Sequence, residues 1–139
     1  MEVVVLIGRI LFVLLFLNSA IGHLTQTRPM AQYAGSQGIP FPWLAVFGSG
    51  ILQLVGALMV LLGVWADVCA LLLVVFLVPT AVLRHRFWRE EDQQARQNSL
   101  IQFLKDLALA GAALMLFAFF AHTGDDLGLT LSGPLFDLG

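Results

Sequence analysis

The stretch "WLAVFGSGILQLVGALMVLLGV", residues 43–64, contains 22 residues and no charge. Coiled as a helix at 1.5 Å per residue it would be roughly 33 Å long, enough to cross the ~30 Å hydrocarbon layer of a bilayer. It does not alternate with period two, so a membrane β-strand is the wrong reading. One polar side chain, Gln53, sits halfway along it.

Three further runs have the same character: "VVVLIGRILFVLLFLNSAIGHL" (3–24), "VCALLLVVFLVPTAVL" (68–83) and "LIQFLKDLALAGAALMLFAFFA" (100–121). The third of the four spans is short at its apolar core and reaches full length if it extends across Asp67 and Arg84, which gives helices over 3–24, 43–64, 67–85 and 100–122. The first run begins "MEVVV", without the positive start of a secretion signal, and its apolar stretch is too long for one, so it reads as a retained helix. Whole-chain composition agrees. Of 139 residues, 59% are hydrophobic and 12% charged, against about 25% charged in soluble domains. With so few polar side chains the chain cannot cover a water-facing surface. A net charge of −2 gives no sign of a nucleic-acid partner. The single cysteine, Cys69, excludes an intrachain disulfide and a CxxC pair, and reads as a packing residue. The expected fold is all-α: one domain, a transmembrane four-helix bundle.

The loops differ. Between spans two and three stands only "WAD". The first loop, "TQTRPMAQYAGSQGIPFP", offers Thr27 and Pro29 as a helix start and Gly35 or Gly38 as a stop. It is expected to form a short interfacial helix, with Tyr33, Phe41 and Trp43 at headgroup level. Small residues suit close packing in lipid, so Gly56 and Gly63 on span two, and Ala108, Gly111 and Ala112 on span four, are expected to face neighbouring helices, with Leu61 facing lipid. Pro79 is expected to free a carbonyl in span three.

Four spans place loops one and three on one side, both termini and the short turn on the other. The first side carries Arg28, Arg84, Arg86, Arg89 and Arg96; the second carries Glu2, Asp67, Asp125, Asp126 and Asp137 and no basic residue outside the helices. The positive-inside rule puts the arginine side in the cytoplasm and both termini outside. Abrupt change in "PTAVLRHRFWREED" (79–92) is then a cytoplasmic boundary, with Trp88 at the interface and the acids opening a helical surface segment.

Charged groups inside a span are costly and merit individual weighing. Arg9 either snorkels outward or finds a partner within the bundle. Near the arginine side, Asn18, Ser19 and His23 on span one, Thr80, Arg84 and His85 on span three, and Gln102, Lys105 and Asp106 on span four lie at similar depth. They define either a set of interhelical hydrogen bonds or a ligand pocket. His23 and His85 could in principle hold a haem, but neither lies well inside a span and no CxxCH occurs; no metal-ligand pattern is present. His122 belongs to the opposite end. No phosphate loop, HExxH or GxSxG is found.

The ordered series "GRILFVLLFLNSAIGHL", "YAGSQGIPFP", "PTAVLRHRFW" and "FLKDLALAGAALML" resembles the DoxX family over nearly the whole chain. The resemblance implies a small integral protein of the cytoplasmic membrane that accompanies redox enzymes and meets quinone. His85, Phe87 and Trp88 match the family's HxFW-like motif; Lys105 and Leu107 match its lysine-asparagine-leucine segment, with Asp106 in place of the asparagine. Gln53 stands where many members have glutamate. Two function classes follow. In one, the chain is a redox-associated subunit that binds quinone or another amphiphile among His23, His85, Trp88, Lys105, Asp106 and Asn18, with His23, His85 and Lys105 donating to carbonyl oxygens. In the other, it is a structural or accessory subunit of a larger membrane complex with no ligand of its own. Either way the expected partners are the bilayer and other membrane or redox subunits, or copies of itself. A transport role would require oligomerisation. With no cysteine pair or metal set, the chain alone is not expected to be a complete oxidoreductase.

Overall fold

A computed structural model describes residues 1–136 except Arg86, and of Arg84 and Asp125 only the backbone. It contains five α-helices: α1 (Glu2–Thr25), α2 (Thr27–Ser36), α3 (Pro42–Leu62), α4 (Ala66–Arg84) and α5 (Gln93–Thr123). No strand occurs among the described residues. The four long helices are each long and apolar enough to cross a membrane.

Boundaries follow local chemistry. Helix α2 starts at Thr27, with Pro29 in its first turn, and ends before Gly38, whose φ of +79° would strain any side chain. Helix α3 ends on Gly63 in the left-handed region, φ +71°, where the Gly63 N–H returns to Met59 O. Gly63 is therefore the cap of α3 and not part of a helix–helix seam. Helix α5 starts well before the expected boundary at 100, because the Asp92 carboxylate accepts from Ala95 N at 2.9 Å and caps the segment "QQARQ". Its 31 residues make it roughly 46 Å long, more than the hydrocarbon thickness.

The spans pack in chain order, α1 on α3, α3 on α4 and α4 on α5, with no comparable contact joining α1 to α5. One core, built around Val13, Phe16, Ala57, Leu73, Ala113 and Phe120, draws on all four spans. A second, small cluster of Ala31, Ala34 and Val46 fastens α2 to α3. Gly56 faces α4 as expected: a Cβ there would lie 3.2 Å from Leu73 Cδ2. Between two helices the closest glycine approach is at Gly50, where a Cβ would stand 2.9 Å from His23 Cβ. On α5 the small residues turned inward are Ala110 and Ala113, while Ala108 and Gly111 are exposed. Ala112 is half-buried, and Leu61 packs against the core and does not face lipid. Cys69 is buried, 3.4 Å from Met59 Sδ.

At the end of the molecule that holds the termini, the segment after α5 folds back over the helices. Glu2 accepts from Gly128 N, Arg9 donates to Leu129 O at 2.7 Å, and Thr130 fills the space beside Gly63. Leu131 N and Ser132 N donate to Leu62 O and Gly63 O at 3.0 and 3.1 Å. The carboxylate of Asp67, fully buried, accepts from Leu135 N at 2.9 Å and Phe136 N at 2.8 Å. Glu2 and Asp67 are thus anchors of this strap and not merely surface acids. Arg9, 1% exposed, does not snorkel; it is held inside, and its Nε and Nη1 have no partner among the described residues.

A cleft between the spans at the loop end

Toward the other end, where α2 and the α4–α5 connection lie, the spans enclose a cleft of about 620 Å³. Its walls come from residues within 15–23 of α1, 44–53 of α3, 75–83 of α4 and 102–109 of α5, with Ala34 of α2, Ile39 and His85. Leu44 and Val75 are exposed along it, so the cleft is open and not a sealed void.

Four of the six candidate residues meet here: His23, His85, Lys105 and Asp106 line the same cleft. Ser19, Thr80, Gln102 and Gln53 share its walls. His85 stands just past α4, and its Nε2 lies 3.3 Å from Asp106 Oδ2 on α5. Asp106 therefore engages His85 and not its neighbour Lys105, because consecutive residues on a helix point in different directions. Opposite them, His23 on the last turn of α1 places Nδ1 2.7 Å from Ser49 Oγ and 3.3 Å from Val46 O. The Ser49 hydroxyl donates to Val46 O at 2.8 Å. Contact of Nδ1 with both oxygens fixes the position of the His23 ring against α3.

The remaining two candidates stand apart. Asn18 is exposed and off the cleft wall. Trp88, about half exposed, packs edge-on against Phe87 and Phe103, with centroids at 5.2 and 5.9 Å, beside the cleft but not on it. The sequence reading also passed over Ser49 and Gly50, which set the position of His23. Only the short "GSG" within an apolar run could have pointed to them. Among the described residues, no three His, Cys, Asp or Glu side chains converge as metal ligands would.

The cleft thus sets two imidazoles, an ammonium and a carboxylate on largely apolar walls. The fold and its sequence place the chain in a defined class: the DoxX family model matches residues 4–86, and the chain belongs to that family. It is a multi-pass membrane protein. It is 31% identical to the inner membrane protein YphA of Escherichia coli (strain K12) over 114 residues, covering 82% of this chain and 81% of that one. No solved structure matches.

Proposed function

We propose that this DoxX protein binds a quinone-type amphiphile in the loop-end cleft and serves as the membrane partner of a redox enzyme. The observation that carries the reading is the meeting of His23 on α1, His85 just past α4, and Lys105 and Asp106 on α5, on one largely apolar cleft. The Lys105 ammonium can donate to a quinone oxygen. His85, held by Asp106, can hold or pass a proton at that oxygen. The His23 imidazole lines the same cleft and can hydrogen-bond to a ring oxygen. The isoprenoid tail would lie along the apolar wall. Electrons would come from and go to a partner subunit.

The scaffold reading uses the same contacts, because His85–Asp106 and His23–Ser49 both tie one span to another. A short-chain quinone analogue separates the two. It is expected to raise the melting temperature of the purified protein, and His85→Ala is expected to weaken its binding by about tenfold, the loss of one good polar contact. No shift with wild-type protein, or the same affinity for His85→Ala, leaves the scaffold reading standing.

The orientation belongs to the same proposal: cleft and arginine loops toward the cytoplasm, both termini outside, in the cytoplasmic membrane, as the inner-membrane relative suggests. Arg28, Arg89 and Arg96 are exposed at the loop end; Arg86, the side chain of Arg84 and Asp137 lie outside the described residues. A cytoplasm-active reporter fused to the C-terminus is expected to stay silent. Strong activity there would invert the orientation and place the cleft on the outer face.

A further inference from the structure

Gln53 is the deepest polar group on the cleft wall. It is 1% exposed, and its amide nitrogen has no hydrogen-bond partner among the described residues. A buried amide donor left unmatched is costly. Phe16 and Phe76 add only apolar rings to the same cleft. Gln53 is one turn along α3 from Ser49, which itself holds His23. One turn is about 5.4 Å, comparable to the span of a six-membered ring with an oxygen at each end.

We propose that Gln53 is the deep specificity determinant of the cleft, donating its amide N–H to a carbonyl oxygen of a neutral quinone-type head at mid-span depth. The inference rests on the quinone-cleft reading and adds where the head sits. One ring oxygen meets Gln53, and the opposite oxygen lies at the level of His23. Antiparallel packing that sets Gly56 against Leu73 brings Gln53 level with the region of Phe76. There the neighbouring Val75 is 62% exposed, so a tail can leave sideways into lipid at the depth of the head. An amphiphile with an anionic head would be drawn instead to the Lys105 ammonium, since burying an unneutralised charge beside Gln53 is costly.

The test uses the full chain in lipid nanodiscs with a short-chain ubiquinone analogue, comparing wild type, Gln53→Leu, Gln53→Met and His85→Ala. Both Gln53 variants are expected to bind the analogue on the order of tenfold more weakly. Without ligand they should melt at or above the wild-type temperature, because an unmatched amide has been removed. In infrared difference spectra, one quinone C=O band should be shifted down in wild type and return to its free frequency in both variants. Wild-type affinity and an unchanged carbonyl band in the Gln53 variants would overturn the proposal. So would a fall in their ligand-free stability, which would mean the amide has an internal partner. If His85→Ala alone weakens binding, deep anchoring fails and the cleft reading survives. If wild type does not bind the analogue, both fail together.

Discussion

Asp67→Ala is expected to lower the melting temperature by about 5–10 °C and to free the C-terminal strap. Asp67 sits in the first turn of α4, and its two carboxylate oxygens hold Leu135 N and Phe136 N at 2.9 and 2.8 Å. Hydrogen bonds to a charged acceptor contribute about 1.5–3 kcal/mol each. Release of the strap into water recovers part of that, leaving a net loss of about 2–3 kcal/mol and the stated shift in melting temperature. The loss spreads, because the strap also closes over Gly63 and receives the Arg9 guanidinium at Leu129 O. Asp67→Asn, which keeps one acceptor oxygen, should show roughly half of the effect. Limited proteolysis gives a second readout: residues 127–136 should become cleavable in Asp67→Ala while the helices stay protected. An unchanged melting temperature and an unchanged cleavage pattern would mean that the strap is not held by Asp67.

The second large effect is expected at Gly50. A Cβ there would meet His23 Cβ at 2.9 Å and Leu24 Cδ2 at 3.0 Å, so Gly50→Leu cannot be absorbed by one flexible side chain. Overpacking of this kind costs about 1–3 kcal/mol, and the larger figure applies here because α1 must move as a whole. Moving α1 also breaks the 2.7 Å contact between His23 and Ser49. The variant should therefore melt lower and lose affinity for a quinone analogue together. Val55→Ala, at a position 46% exposed on the same helix, is the control and should do neither. Equal effects at both positions would mean that the packed and lipid-facing sides of α3 have been exchanged.

How much of this could be read from residues alone depended on the kind of signal. Hydrophobic length marks a span by itself, so all four were legible, and Thr27, Pro29 and Gly38 punctuate the helix in the first loop strongly enough to be seen. That this short helix packs on α3 through Ala31, Ala34 and Val46 was not visible, since those contacts join distant residues. On α5 the expected face of Ala108, Gly111 and Ala112 is only half-buried at Ala112, and the buried face holds Ala110 and Ala113, because a helix apolar on every side carries no periodic signal to orient it. The strap left no trace either. Its bonds are mostly backbone groups of residues 128–136 meeting Glu2, Arg9, Leu62 and Asp67, and isolated acids near a helix end look like surface charge in a sequence. The cleft was legible in outline for a simple reason: polar residues are so rare in the spans that those at one depth have few places to go but toward each other. What the sequence could not give was direction, so exposed Asn18 and the aromatic cluster of Trp88 were grouped with residues that do line the cleft.

The central claim is that the cleft holds a quinone-type molecule. Native mass spectrometry of the protein extracted in mild detergent from its own membrane tests it most directly. The expected result is one isoprenoid quinone retained per chain in wild type, and its loss in His85→Ala and Gln53→Leu at equal protein recovery. Protein that emerges with phospholipid alone or with nothing bound, and with the same spectrum for wild type and both variants, would contradict the claim.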